Sequence, residues 1–156
     1  MPSFELASAV VALVVLSSLT GVELCVAAFF HPVVNRLAPH ATMAAHALSA
    51  ARLGAAMPAW YALSALTALL AACGAAFPLA TWMWSFMTAA LALIIASTIV
   101  VLVPINSAVA RGVGDAANAT QVRRMRADIA RWDRLHRLRT FALSAVVVVE
   151  MAAALA

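Results

Sequence analysis

The sequence predicts an all-α protein: an integral membrane four-helix bundle, antiparallel and up-down, with its last helix extended into the cytoplasm. Two thirds of the 156 residues are apolar, a tenth are charged, and the mean hydropathy is +1.01, outside the usual range of a water-soluble domain. Four apolar stretches, at about residues 6–30, 54–77, 79–103 and 140–156, reach or approach the roughly 17 to 25 residues that a helix needs to cross a bilayer. None alternates with period two. In hydrocarbon, backbone amides must be satisfied internally, so the spans are helices rather than barrel strands. The chain reads as a single transmembrane domain over 1–156, with a cytoplasmic loop and helix at 104–139.

Charge sets the expected orientation. All ten basic residues are arginine. Arg36 and Arg52 fall between the first and second spans, and Arg111, Arg123, Arg124, Arg126, Arg131, Arg134, Arg137 and Arg139 between the third and fourth. Excess arginine marks cytoplasmic loops, which puts both charged loops inside and both termini outside in a multi-pass protein of the cell inner (plasma) membrane. The net charge of +4 then reads as topology plus contact with anionic lipids. No soluble module with interleaved aromatic and basic residues is present to hold nucleic acid. A homo-oligomer is left open. The N-terminal stretch lacks a basic leader, carries Glu5 and is too long in its apolar run for a cleavable signal. Cys25 and Cys73 sit near opposite ends of their spans, too far apart for a disulfide, and read as small buried hydrophobes.

Taken in order, the first span carries Glu23 about two turns from its inner end, where a carboxylate costs roughly 2.5 kcal/mol or more unless paired, protonated or metal-bound. His31 follows eight residues later, displaced by about 80° around a regular helix, and Pro32 marks the end of the span. After a turn at 35–39, His40 and His46 begin a helix that runs into the second span. Six residues apart, they lie on different faces and read as solvated or interfacial. Pro58 is expected to kink that span or restart it. Trp60 and Tyr61 read as an aromatic belt, as do Trp82 and Trp84 at the other surface. The short connection at 74–80 makes the second and third spans antiparallel neighbours. The third span closes with Val103-Pro104-Ile105-Asn106, where Asn106 is either a helix cap or an amide delivered to a site. Gly112 and Gly114 break the chain, Asp115 to Asn118 lead onward, Thr120 is a plausible cap, and a helix from about Gln121 continues to the end. Trp132, His136 and Arg139 stand at i, i+4 and i+7 on one face of it. Asp128 reaches His136 only through water or another side chain, and Glu150 lies close enough to the outer surface to snorkel.

This topology delivers Glu23, His31, Asn106, Trp132, His136 and Arg139 to one depth, the cytoplasmic mouth of the bundle. Bundle interiors build metal, cofactor and ligand sites from facing helices in this way. The simpler reading of the arginine-rich stretch is a collar that holds the last span at the headgroups, but a collar does not need the ordered Trp-His-Arg stripe.

The order of the four spans, the Pro104-Ile105-Asn106 ending of the third and the Trp132-x-x-x-His136-x-x-Arg139 entry to the fourth resemble the anthrone oxygenase-like family of small membrane proteins. The resemblance covers nearly the whole chain and is most specific in the last two motifs. Ser107 stands where members commonly have a second asparagine. The resemblance implies oxidation of an anthrone to an anthraquinone by dioxygen, and thus an oxygenase acting on a small apolar or aromatic substrate. Two chemistries suit the residues. In one, His31, His136 and Glu23 hold a metal, iron or copper, with haem as a further option, and His31 and His136 are the cofactor-binding pair. In the other no cofactor is used: His136 or Glu23 acts as base on an acidic phenol or anthrone, and Arg139 and Asn106 stabilise the oxyanion, beside Trp132. A non-enzymatic alternative is a membrane subunit or lipid-binding bundle that grips a headgroup or an acidic partner through its arginines.

Overall fold

Prolines and long alanine-rich apolar runs set out the helices. The computed structural model describes residues 2–112 and 119–155, and among these only helices and short turns occur. Helix α1 (Pro2–Cys25) passes through a π-helical turn, Val26–Phe30, into the short α2 (His31–Val34). Helix α3 (Pro39–Gly74) is followed by α4 (Pro78–Ser97), a second π-helical turn at Thr98–Leu102, α5 (Val103–Gly112) and the long α6 (Ala119–Leu155). Both α3 and α4 start on a proline preceded by extended backbone, Ala38 at ψ 148° and Phe77 at ψ 138°. A residue before proline avoids the helical region, and a proline in the first turn loses no hydrogen bond, so each pair fixes a start.

Three helical stretches among the described residues are long and apolar enough to cross a membrane: Ser3–Val34, Pro39–Gly74 and Pro78–Val109. Helix α6 is not among them. Its apolar half beyond Arg139 is short and carries Glu150. Helices α1 and α4 each pack against both α3 and α6. Between them lies a core of Leu16, Leu19, Trp84, Met87, Leu91 and Leu143, and Met43, Val109, Met125 and Ile129 form a smaller cluster. The outer surface is also apolar. Leu93, Phe141 and Val148 are each about two thirds exposed or more, which favours a surrounding as apolar as the core.

Several sequence expectations change. Pro58 lies inside α3 without ending it. Pro32 lies in the last turn of its helix, which ends at Val34, whereas Pro104 does not end its helix, which runs on to Gly112; a π-helical turn precedes each. Trp84 is core rather than interfacial, while Trp82 is 76% exposed. Both cysteines are exposed on the protein surface instead of buried. Glu150 does not snorkel: it is 1% exposed. The expected break at Gly114 and the Asp115 to Asn118 lead-in fall outside the described residues. The continuous last helix is present and begins at Ala119.

Candidate functional site

Proline placement shapes the site first. Pro32 and Pro104 have no N–H, and a proline ring clashes with the carbonyl four residues earlier. In both places the chain widens one turn ahead: the His31 amide bonds to the Val26 carbonyl and the Val103 amide to the Thr98 carbonyl, each spanning five residues instead of four. A wide turn takes up one extra residue. The eight steps from Glu23 to His31 then act as seven, and seven residues leave a helix only about 20° out of line. The 80° offset of a regular helix is thereby nearly removed.

Two carboxylates organise the polar groups. Glu23 is 1% exposed. Arg139 Nη2 lies 2.7 Å from its Oε2 and 2.9 Å from its Oε1, and Tyr61 Oη donates to Oε1 at 2.9 Å. The Arg139 guanidinium also sits over the Tyr61 ring, 5.5 Å from its centroid. His136 Nδ1 is 3.0 Å from Arg139 Nη2 and 3.1 Å from Glu23 Oε2, and the two contacts need opposite protonation of Nδ1. A guanidinium has no acceptor. Glu23 is already served by Arg139 and Tyr61, so we assign Nδ1 as acceptor from Arg139, which puts the His136 proton on Nε2. Among the described residues neither that Nε2 nor Arg139 Nε, both buried, has a hydrogen-bond partner. An unpaired buried donor costs about 1–3 kcal/mol, a cost that an acceptor brought within reach would remove.

The second carboxylate is Asp133, on α6 one residue after Trp132. Its Oδ1 accepts from His31 Nδ1, and its Oδ2 accepts from Asn35 Nδ2 at 2.7 Å. Burial acts to raise the Asp133 pKa, but the hydrogen bonds from His31 and Asn35 outweigh it and hold the carboxyl below its ordinary value. His46 Nε2 bonds to Asn35 Oδ1 at 2.9 Å. The His136 ring stacks on Trp132, centroids 4.6 Å apart, and on His31 at 5.6 Å, while His31 lies tilted against Trp132 at 4.6 Å. His46 meets His31 edge-on at 4.8 Å.

These groups border a cavity of about 310 Å³, within the roughly 300 to 1,000 Å³ usual for small-molecule sites. Glu23, His31, His46, Tyr61, Trp132, His136, Arg139 and Asn106 line it, and Met57, Pro58, Ile95, Ile99 and Leu102 supply apolar wall. A smaller cavity of about 160 Å³ is bordered by Asn35, Asp133 and Arg137, with His31 and His136 lining both cavities.

The six residues expected to converge do border one cavity, although Asn106 touches none of the other five by hydrogen bond and donates weakly to the Ala50 carbonyl at 3.4 Å. The metal set does not fit. Both Glu23 oxygens face the Arg139 cation, which a dication at the same carboxylate would have to displace. Among the described residues, no group of three or more His, Cys, Asp or Glu side chains is arranged to hold a metal. His40 is exposed, as expected for a solvated residue, but His46 is 6% exposed and part of the site. Tyr61 is a buried partner of Glu23 rather than a belt residue. Asp133, Asn35 and Tyr61 are functional candidates that spacing missed. The only signal for Asp133 was a carboxylate inside an arginine run one residue from Trp132, which reads equally as local charge balance.

No curated protein and no solved structure matches the chain significantly. The anthrone oxygenase family profile matches residues 39–149, more than half of the chain and inclusive of His46, Tyr61, Asn106, Trp132, Asp133, His136 and Arg139. The chain belongs to the anthrone oxygenase family.

Proposed function

We propose that this protein is a membrane-embedded, oxygenase-like enzyme that oxidises an apolar aryl ketone of the anthrone type in the larger cavity. The observation that carries the reading is the pairing, around one apolar cavity, of an Asp133-backed imidazole with two unpartnered buried N–H donors on His136 and Arg139. A methylene flanked by aryl rings and conjugated to a carbonyl is a carbon acid, and its deprotonation needs a base at the carbon and donors at the oxygen. His31 presents Nε2 as that base, because Asp133 accepts from Nδ1, fixes the tautomer and stabilises the imidazolium that forms. The enolate oxygen accepts from His136 Nε2–H and Arg139 Nε–H, donors that are shielded from water and otherwise unpaired. Trp132 and the apolar wall hold the rings.

The carbanion then bonds to dioxygen, and the peroxide oxygen takes back the proton that His31 removed, giving a hydroperoxide at carbon. Loss of its remaining C–H proton and of hydroxide breaks the O–O bond and leaves a ketone and one water. The methylene loses four electrons and dioxygen gains four, so no further reductant enters. His31 takes this second C–H proton as well, and it joins the departing hydroxide as the one water. Glu23 does not serve as base here. It holds Arg139 in place.

We place the protein in the membrane as an up-down four-helix bundle, with the second half of α6 as its fourth span and the exposed Phe141 and Val148 toward lipid. Its arginine-rich end faces the cytoplasm and anionic lipid, following the positive-inside rule. The test is turnover of anthrone by detergent-purified protein, read as quinone absorbance and oxygen uptake. Wild type is expected to couple the two one to one, and His31→Ala to lower the rate by roughly 10²- to 10⁴-fold, the usual worth of a positioned base. Binding of anthrone without oxygen uptake above the free-solution rate would leave a binding protein rather than an enzyme.

A further inference from the structure

Asp133 fixes the protonation of a second histidine that the reaction above does not use. A carboxylate only accepts, so Asn35 turns Nδ2 toward Asp133 Oδ2 and its carbonyl Oδ1 toward His46. An amide oxygen also only accepts, so the His46 proton must be on Nε2. In the neutral ring Nδ1 then carries the lone pair. One buried carboxylate thus makes acceptors of both imidazoles that line the cavity, Nε2 of His31 and Nδ1 of His46, in rings set edge to face at 4.8 Å. The donors, His136 Nε2–H and Arg139 Nε–H, belong to the group held by the other carboxylate. The two acceptors and the two donors are therefore organised by different carboxylates.

We propose that His46 Nδ1 is a hydroxyl-recognition point: the cavity selects aromatic ligands that carry a ring hydroxyl able to donate to His46 while their carbonyl accepts from His136 and Arg139. This deepens the oxygenase reading and rests on it for the ligand class. His46 takes no proton from carbon. Its work is to bind and orient, and its tautomer is kept in place by Asn35. An imidazole nitrogen that is 6% exposed as a residue and fixed as an acceptor loses its hydrogen bond when the ligand has only C–H at that position.

The test compares binding of anthraquinone and 2-hydroxyanthraquinone to the detergent-purified full chain, read by quenching of tryptophan fluorescence and needing no turnover. The single hydroxyl points away from the carbonyls and has no internal partner. Wild type is expected to prefer the hydroxylated compound by roughly tenfold, the worth of one hydrogen bond in a buried site. His46→Phe keeps an aromatic edge against His31 and removes the acceptor, so the preference should fall to near one. Asn35→Leu leaves His46 in place but frees its tautomer, and should reduce the preference to an intermediate value. It also keeps the test open if His46→Phe does not fold. An unchanged preference in either folded variant, or equal binding of the two quinones by wild type, overturns the assignment of His46 and leaves the oxygenase reading standing. Binding of neither quinone overturns both.

Discussion

Glu23 and Arg139 illustrate what one buried ion pair does in an apolar bundle. Removing one partner leaves an uncompensated charge, which typically costs about 3–5 kcal/mol, while replacing both by apolar side chains of similar volume is often neutral or stabilising. Arg139→Ala is therefore expected to lower the unfolding midpoint in detergent sharply. The double change Glu23→Leu with Arg139→Met should recover most of the stability and none of the turnover. Recovery of turnover by the double variant would show that the pair is structural only. Asp133 gives a pH signature of defined sign. Its folded pKa is lowered, so its contribution is fully present above the ordinary value of 3.8 and is lost as pH falls through the lower folded value. Ligand binding and stability should hold from neutral pH down to that region and then fall together. Asp133→Asn should weaken both at neutral pH and remove this acid limb from the profile, as read by thermal unfolding across pH. Here the sequence was only partly legible. His31, His136 and Arg139 stood out because charged or ionisable groups are costly beside a span. Asp133, Asn35 and His46 did not, because in sequence each looks like an ordinary polar residue in a polar stretch, and only the fold makes them one hydrogen-bonded chain.

At the level of helices, the two π-helical turns are the devices that aim the site. Each sits directly before a proline-bearing turn, Val26–Phe30 ahead of Pro32 and Thr98–Leu102 ahead of Pro104, and each borders the larger cavity, through Val26 in the first and Thr98, Ile99 and Leu102 in the second. Pro32→Ala restores an N–H and removes the clash that makes the wide turn favourable. Return to a regular helix would swing His31 by about 80–100° relative to Glu23. The expected outcome is a protein as stable as wild type or slightly more so, with turnover lowered roughly 10²-fold by misplacement of the base. Unfolding midpoint and rate measured on the same preparation check it. A fall in stability with turnover retained would contradict the role given to the turn. The prolines were visible in the sequence as helix ends. A π turn has no sequence signature of its own, since it arises where the helix continues despite the proline because neighbouring helices hold the chain on its course.

On the scale of the molecule, an apolar exterior and an arginine-rich end imply a fixed orientation. A cysteine placed at the exposed Arg124, in a variant lacking Cys25 and Cys73, should react with a membrane-impermeant maleimide only after the cells are opened. Labelling of intact cells would reverse the topology and put the site at the outer leaflet. By itself the sequence determined the helical class, three of the four spans it predicts as helices of membrane length, the continuity of α6 and the family, since length, hydropathy and local spacing are properties of neighbouring residues along the chain. It also brought Glu23, His31, Trp132, His136 and Arg139 to one level, because the position of a residue along its span sets its depth. Tertiary structure decided which group each side chain faces. Glu23 meets a guanidinium and a tyrosine, Asp133 rather than Asp128 backs an imidazole, and that imidazole belongs to His31 rather than His136. Depth follows from counting residues, but rotation about each helix axis and the choice of hydrogen-bond partner depend on how four helices pack, and a proline-induced change of one residue in the count turns a whole face.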